Sequence, residues 1–559
     1  MNKTFLRVHE SMKRYRKLII AVAVIAFGFG VITAADLFRE IATNLRIYNK
    51  VVEHLITEYV DEINSEELIR ASIKGMLRDL DPYTVYIQED DQMEVGMLTR
   101  GKYGGVGIRL GVRGDTLTVI APMEDTPAYR AGIRPGDKII KIDHESALEL
   151  RTDAAAQKIR GKPGTEVILT IYRYGEIEPF DIALVREEIK IKDLPYYGIN
   201  NGIGYIRVSR FSRDTAKEFR AAAAELQQQG IEGLVVDLRD NPGGLLQDAV
   251  VMVDALVEPG LGIVETRGRT KKATRKYASE NEPVLDLETP LVVLVNQGSA
   301  SASEIVSGAI QDLDRGVIIG ERTFGKGLVQ SIFQVGKNTS LKATTAKYYI
   351  PSGRLIQKED YLENGVLTDG LDKTDSLFVT RNGRVVKGGG GITPDIEMES
   401  PVLTPLASRL FSRSLYFAFA ALHQNSYDLS VPVVITDEIM EDFRAFLEQK
   451  KVEVSFPGEK ELEAFEANLE KLDSFDGKVD LSELKAYYER RSKTAFVDEH
   501  DQIRRLLRLE FASIVGGFGQ RIQSALKDDP AYLRAVEILH SPLAYKETLQ
   551  PEGQTAHKN

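Results

Sequence analysis

The sequence predicts a multidomain α/β protein in which a central α/β core lies between helical regions at the two ends of the chain. Three observations support this prediction. Apolar, strand-like runs alternate with helical patterns over residues 190–400, which is typical of an α/β core. Apolar residues recur at three- and four-residue steps over residues 37–97, and charged amphipathic helices follow residue 401. A chain of 559 residues has room for two to four domains.

The composition excludes several classes of function. The net charge is −11 and no basic stripe is present, which argues against a nucleic-acid partner. Because the chain has no cysteine, disulfides, thiolate chemistry and cysteine-ligated metals are excluded. No cluster of His, Asp and Glu has the spacing of metal ligands. We therefore expect neither a metal nor a cofactor.

The N-terminal segment predicts membrane anchoring or export. Residues 18–35 are uncharged and mostly apolar, six cations precede them, and Asp36 follows them. Eighteen such residues are just enough to span a bilayer, with the preceding cations kept in the cytoplasm. The alternative is a cleaved signal peptide, because residues 33–35 form an acceptable small-residue cleavage site. Both interpretations place residues 37–559 in the cell envelope, on the periplasmic face of the cytoplasmic membrane.

Residues 98–188 contain a glycine-rich segment, 101–108 (GKYGGVGI), followed by short strand patterns and the run 131–137 (AGIRPGD). These features resemble a PDZ domain. The resemblance implies that a glycine-rich loop donates backbone N–H groups to a peptide's terminal carboxylate, while the peptide adds a strand to the sheet edge. That loop would be Gly105, Val106, Gly107 and Ile108. The alternative is that the glycines only shape a hairpin.

A serine-rich loop, residues 298–304 (GSASASE), lies between an apolar run and a helical pattern. Such a turn exposes a hydroxyl and directs backbone N–H groups at the oxygen of the attacked group. A nucleophilic serine needs a base, yet no histidine lies between His144 and His423. Lys326, flanked by two glycines, is the natural substitute. The alternative is purely structural, with Ser301 and Glu304 forming a helix capping box.

Four motifs together resemble the C-terminal processing peptidases, also called tail-specific proteases. They are 237–244 (DLRDNPGG), 298–304 (GSASASE), 325–330 (GKGLVQ) and 348–354 (YYIPSGR). The resemblance covers roughly residues 40–400 and includes the 25-residue spacing from Ser301 to Lys326. It implies a core related to the crotonase and Clp peptidase folds, with the PDZ domain inserted before it.

The resemblance also implies a serine endopeptidase that cuts proteins near their C-termini. By position, Ser301 is the nucleophile, Lys326 the general base and Gln330 the residue that orients the lysine. The N–H of Ala302, with that of Gly243 or Gly244, would form the oxyanion hole. Two residues depart from the family pattern outside this chemistry, Asp240 in place of Asn and Thr84 in place of Ser.

The predicted domains follow from these assignments. They are 1–36 (cytoplasmic N-terminus and anchor or signal segment), 37–97 (helical region), 98–188 (PDZ domain), 189–400 (peptidase core) and 401–559 (helical C-terminal domain). We expect the protein to bind the C-termini of other proteins and to contact the membrane through its N-terminal segment. We expect the C-terminal domain to mediate homodimerisation, to enclose the substrate or to bind an adaptor protein.

Two other functions stay open at this point. One is a catalytically silent PDZ scaffold that binds protein C-termini in the cell envelope, against which the presence of both Ser301 and Lys326 counts. The other is a crotonase-type acyl-CoA enzyme, against which the PDZ resemblance, the export segment and Lys326 count.

Overall fold

The computed structural model of the chain describes residues 39–88, 96–97, 101–113, 115–358, 376–452, 455–469 and 479–551. It divides into two units, the first ending at Tyr86 and the second beginning at Ile87. The predicted anchor or signal segment, residues 18–35, lies outside the described residues. Within the described ranges, no helix is both long enough and apolar enough to cross a bilayer.

The first unit is helical, as predicted. Residues 39–58 form helix α1, and Ser65–Arg78 form helix α2. Helix α2 begins after Asn64, whose side chain accepts hydrogen bonds from the backbone N–H groups of Glu66 and Glu67. This cap satisfies donors that the first turn of a helix cannot pair internally. The short strand β1, Val85–Ile87, follows.

The PDZ domain is an antiparallel sheet with two short helices. The strands are β2 (Lys102–Gly105), β3 (Ile108–Arg113), β4 (Thr116–Pro122), β5 (Lys138–Ile142), β6 (Glu145–Ser146), β7 (Glu166–Tyr172), β8 (Phe180–Val185) and β9 (Glu187–Lys190), and the helices are α3 (Pro127–Arg130) and α4 (Thr152–Ile159). The main sheet has the order β3-β4-β5-β7-β8, so β3 is an edge strand. Strands β2 and β9 pair with each other where the chain enters and leaves the domain.

The predicted peptidase core, residues 189–400, is built on a six-stranded sheet of order β10-β11-β12-β15-β16-β21. Only the β10–β11 pair is antiparallel. Its strands are β10 (Tyr196–Asn200), β11 (Ile203–Arg207), β12 (Gly233–Asp237), β15 (Leu291–Val295), β16 (Val317–Gly320) and β21 (Ile396–Glu397). The apolar runs of β11, β12, β15 and β16 are largely buried on both faces, as a parallel sheet requires, whereas the edge strands β10 and β21 are only partly buried or exposed.

Three helices pack on one face of this sheet, and a second, antiparallel sheet adjoins it. The helices are α5 (Thr215–Gln228), α6 (Leu246–Asp254) and α7 (Ala302–Asp312). The second sheet contains β13 (Gly262–Gly268), β14 (Arg275–Ala278), β17 (Leu328–Gly336) and β18 (Thr339–Tyr349), while β19 (Leu377–Val379) and β20 (Val385–Lys387) form a separate two-stranded sheet. Strand β18 pairs with both β13 and β17. Strands β12, β15 and β16 are adjacent and parallel, so the loops that follow them meet at one edge.

The C-terminal region is helical, as predicted. Its helices are α8 (Pro405–Ser412), α9 (Leu415–Leu422), α10 (Asp437–Gln449), α11 (Glu459–Leu469), α12 (Ser482–Asp498), α13 (His500–Leu526), α14 (Pro530–Leu539) and α15 (Pro542–Thr548). An aromatic cluster around Phe419 joins α9, α10 and the first half of α13. Helix α13 is broken at Gly516 and Gly517, where the backbone is not helical.

Helices α14 and α15 pack on the face of the core sheet opposite to α6 and α7. Tyr532, Ile538 and Leu539 are buried there together with Tyr205 and Val235 of the sheet. The last helices therefore complete the apolar core of the peptidase sheet. This packing shows that the region beyond residue 526 contacts the core directly. The domain boundaries given above stay predictions.

Candidate active site

Ser301 is the N-cap residue directly before α7, at the end of the loop that leaves β15. Its φ is 55°, a left-handed backbone conformation that non-glycine residues rarely adopt. The neighbouring serines have structural roles: Ser299 Oγ donates to the Leu238 carbonyl at 2.8 Å, and Ser303 Oγ donates to the Asn241 carbonyl at 2.9 Å. Both are fully buried, whereas Ser301 is half-buried. Local strain at an accessible serine is typical of a nucleophile.

The glycine turn, residues 238–244, follows β12 and lies against the serine loop. A Cβ atom on Gly243 would come within 2.6 Å of the Ala300 oxygen and 2.8 Å of the Ala302 nitrogen. A Cβ atom on Gly244 would lie 2.0 Å from the Phe211 oxygen. Only glycine therefore allows this close approach of backbones. The Gly243 N–H donates to Asn241 Oδ1 at 2.9 Å.

The lysine loop, residues 321–327, follows β16 and is joined to the serine loop by one carboxylate. Glu304 Oε2 accepts from the backbone N–H groups of Ser301 at 2.8 Å and Lys326 at 2.9 Å. Its Oε1 accepts from Thr323 Oγ1 at 2.6 Å and from the Gly325 N–H at 2.7 Å. Glu304 is fully buried, and burial raises the pKa of its carboxyl to about 7. This side chain therefore fixes the relative position of the two loops.

Tyr348 of β18 makes a second connection between the same loops. Its hydroxyl lies 2.6 Å from the Lys326 carbonyl oxygen and 3.0 Å from the Ser301 carbonyl oxygen. From the sequence, Tyr348 is only one residue of a motif and Glu304 is only a helix cap, so a role in the site was predicted for neither. A glutamate in the first turn of a helix made mostly of apolar and small residues was the available indication that Glu304 is buried.

The structure thus brings together Ser301, Ala302, Gly243 and the backbone of Lys326. Gln330 lies farther along β17, where its Nε2 is 3.4 Å from Thr344 Oγ1. Its proposed contact with the lysine amine stays a prediction.

The two departures from the family pattern lie outside these contacts. Asp240 is exposed and its N–H donates to Asn296 Oδ1 at 2.8 Å. Thr84 donates through its Oγ1 to Asp81 at 2.7 Å.

A buried ion-pair network holds the end of β12, directly before the glycine turn. Asp237 ends β12 and is bonded by Arg207 at 2.8 Å, Arg239 at 2.6 Å and the Tyr205 hydroxyl at 2.7 Å. Burial raises the pKa of the Asp237 carboxyl, but the Arg239 and Arg207 guanidiniums outweigh burial and hold that pKa below its usual range. Arg239 also pairs with Asp529, the cap of α14, at 2.7 Å. The C-terminal helices therefore contribute directly to the support of the turn.

The residues predicted to bind a peptide terminus line a separate groove of about 320 Å³ in the PDZ domain. Gly105, Val106, Gly107 and Ile108 form one end of it, between the edge strand β3 and helix α4. Arg160, which follows α4, also lines the groove and stacks over Tyr103 at 5.3 Å. An open strand edge, a glycine loop and a nearby cation suit an extended peptide that ends in a carboxylate.

No group of three or more His, Asp and Glu side chains suitable for a metal ion occurs in the described part of the chain.

Four family models match the chain. Residues 202–369 match "Peptidase family S41", 118–173 match a PDZ domain, 33–91 match the N-terminal domain of the activating protease CtpB, and 406–539 match the C-terminal helical domain of a probable PDZ-protease. The first match contains the glycine turn, the serine loop and the lysine loop.

Relatives match over most of the chain. A carboxy-terminal-processing protease of Bartonella bacilliformis is 37% identical over 394 residues, covering 68% of this chain and 83% of the relative. A probable CtpA-like serine protease of Staphylococcus aureus is 31% identical over 392 residues, covering 68% and 78%. Among solved structures, the photosystem II D1 C-terminal processing protease is 25% identical, covers 64% of this chain and 93% of that chain, and has a TM-score of 0.35.

Proposed function

Because this chain belongs to the carboxy-terminal-processing serine proteases of peptidase family S41 and carries a PDZ domain, we propose that it cleaves proteins near their C-termini with Ser301 as nucleophile and Lys326 as general base. The observation that supports this pair most strongly is the Glu304 carboxylate, which accepts hydrogen bonds from the backbone N–H groups of both residues. Family membership favours peptidase activity over the silent scaffold and over the acyl-CoA enzyme.

In the proposed reaction, the neutral amine of Lys326 takes the hydroxyl proton as Ser301 Oγ attacks the peptide carbonyl carbon. The resulting ammonium group gives that proton to the leaving amine, and the peptide C–N bond breaks. Lys326 then takes a proton from water as the water oxygen attacks the acyl carbon, and it returns that proton to Ser301 Oγ as the ester bond breaks and the new C-terminus leaves. The mechanism needs a neutral amine.

The oxyanion would be held by backbone N–H groups of Ala302 and the glycine turn. Since the Gly243 N–H donates to Asn241, Gly244 is the better candidate for the second donor. Loss of one such donor typically costs about 3–4 kcal/mol of transition-state stabilisation. The close approach of Gly243 to the Ala302 nitrogen supports this location of the hole.

The PDZ groove would hold the substrate's C-terminal segment. A terminal carboxylate would accept hydrogen bonds from the loop Gly105–Ile108, and the extended segment would pair with β3. Arg160 lies beside this loop, so its positive charge would favour a free carboxylate over an amide. Binding the tail in one domain and cutting in another accounts for selectivity near protein ends.

We also propose a location in the cell envelope, because residues 18–35 follow six cations and would anchor the chain or direct its export. The helical region beyond residue 401 would then mediate homodimerisation or bind an adaptor protein on the same side of the membrane.

The test is cleavage of an unfolded protein by the purified full-length chain, compared with Ser301→Ala and Lys326→Ala. We expect both substitutions to abolish cleavage without lowering the melting temperature. A peptide with a free C-terminus should change the wild-type rate, and the same peptide with an amidated end should not. Wild-type rates in the Lys326→Ala protein would contradict the serine–lysine pair.

A further inference from the structure

The PDZ domain is connected to the rest of the chain through two crossings that lie side by side, and the second of them leads into the peptidase core. The first crossing is Gly101, just before β2, and the second is the segment after β9. The Ile191 N–H donates to the Gly101 carbonyl at 2.9 Å, which ties the crossings to each other. Asp193 follows two residues later in the second crossing and is only 3% exposed.

Asp193 holds the core segment 209–215 through both its side chain and its backbone. Its Oδ2 accepts from Ser212 Oγ and from Thr215 Oγ1, the latter at 2.6 Å. Its Oδ1 lies 3.4 Å from Arg210 Nε. Its carbonyl accepts from the Ser209 N–H at 2.8 Å. The first crossing meets the same place, since a Cβ atom on Gly101 would lie 2.8 Å from Ser212 Oγ.

The segment that Asp193 holds is bonded in turn to the glycine turn of the active site. The Phe211 N–H donates to the Gly243 carbonyl at 3.0 Å, and the Leu245 N–H donates to the Phe211 carbonyl at 2.8 Å. Phe211 is fully buried, and its carbonyl oxygen would lie only 2.0 Å from a Cβ atom on Gly244. The orientation of the Gly243–Gly244 peptide units therefore depends on the position of Phe211.

We propose that Asp193 is a positioning residue: it holds the segment 209–215 so that the glycine turn presents its N–H groups to the oxyanion, and it does so at the junction with the PDZ domain. This inference rests on the proposed function, because it assumes an oxyanion hole at the glycine turn. A carboxylate fits this role because it accepts from two hydroxyl groups and faces a guanidinium at once. A buried charge costs desolvation that an apolar residue would avoid.

The principal test is Asp193→Asn in the full-length protein. The amide keeps the shape but places an NH₂ group against donors, so the segment 209–215 should shift. We expect kcat to fall about tenfold to a hundredfold while KM stays within about threefold. We also expect stimulation by a peptide with a free C-terminus to be lost, while the affinity of the PDZ groove for that peptide is unchanged.

Asp254→Asn is the matched control. Asp254 is 4% exposed and accepts from the Glu280 N–H at 2.6 Å and from the Asn281 side chain at 2.8 Å. It ends α6, away from the PDZ junction, so its substitution should lower the melting temperature with little change in kcat. If Asp193→Asn does not fold, Ser212→Ala is the alternative variant. It removes the hydrogen bond from Ser212 Oγ to Asp193 and should lower kcat by a smaller factor.

Hydrogen exchange gives a readout that does not require catalysis. The amides of residues 241–246 should exchange faster in Asp193→Asn than in the wild type, at equal global stability, and not in Asp254→Asn. Unchanged exchange in this segment, or a kcat equal to that of the control, would overturn the proposal. If the wild-type protein showed no cleavage that depends on Ser301, the proposed function would be rejected instead. The exchange experiment would still test whether Asp193 holds the glycine turn in place.

Discussion

At the scale of single residues, Glu304 combines a fully buried carboxylate with four hydrogen-bond donors. In Glu304→Gln, one oxygen becomes an NH₂ group that faces two donors, either the Ser301 and Lys326 N–H groups or the Thr323 hydroxyl and the Gly325 N–H, so part of the connection between the two loops is lost. We expect kcat to fall about a hundredfold, because small misplacements of reacting groups have effects of this size. The comparison is Tyr348→Phe, which removes the second connection and leaves the carboxylate. We expect a smaller loss there; an equal loss would mean that Glu304 has no special role.

The same carboxyl predicts a pH dependence of stability. Burial raises its pKa from about 4.5 to about 7, so the folded protein binds this proton more tightly than the unfolded chain does. The stability contributed by protonated Glu304 is fully present below pH 4.5 and is lost as the pH rises through 7. The difference in unfolding free energy between wild type and Glu304→Gln should therefore shift against the wild type by up to about 3 kcal/mol from pH 4.5 to 8. The measurement is denaturant unfolding of both proteins across this pH range. A difference in unfolding free energy that does not change with pH would contradict the prediction.

Residue order and spacing indicated Ser301 and Lys326 as candidates, because the two lie in recognisable motifs after strand-like runs. The roles of Glu304 and Tyr348 were not predictable in the same way. Each acts by reaching backbone groups on a loop that is distant in sequence, and only the parallel arrangement of β12, β15 and β16 brings those loops together. Asp193 was missed for a related reason, since its partners belong to a segment on the other side of a domain junction.

At the scale of elements, helix α13 shows where the sequence interpretation was incomplete. Charged amphipathic helices were expected after residue 401, and α13 is one of them except at Gly516 and Gly517, where its backbone is not helical. Two adjacent glycines inside a helical pattern were the indication of a break. After it, the helix passes the PDZ domain, where Phe518 lies under the Arg109 guanidinium at 4.8 Å. Strand β3, which carries Arg109, is the edge to which a peptide would add.

Gly517→Ala tests the break. Gly517 has φ 71° and ψ −170°, a conformation that is essentially restricted to glycine. A side chain should therefore destabilise the protein by about 1–3 kcal/mol, seen as a lower melting temperature. Gly75→Ala is the control, because Gly75 is helical and its added Cβ meets no atom within 4 Å. Equal melting temperatures of the two variants would show that the break tolerates a side chain.

At the scale of the whole molecule, the last two described helices are part of the peptidase fold. Deleting residues 527–559 removes α14 and α15 and exposes the buried face of β11, β12 and β15 to water. Each large apolar side chain on that face loses about 1.5–3 kcal/mol of burial. We expect the truncated protein to be insoluble or inactive, as measured by soluble yield and cleavage. Deleting only residues 552–559 should have neither effect. A soluble, active protein ending at residue 526 would refute this view of the fold.

The ion pair between Arg239 and Asp529 has a consequence for biosynthesis. Arg239 belongs to the motif that carries the glycine turn, whereas Asp529 caps α14 near the end of the chain. During translation, the segment that carries the turn emerges from the ribosome nearly three hundred residues before its partner does. The support that Asp529 gives to the turn is therefore absent from any nascent chain that has not yet reached α14.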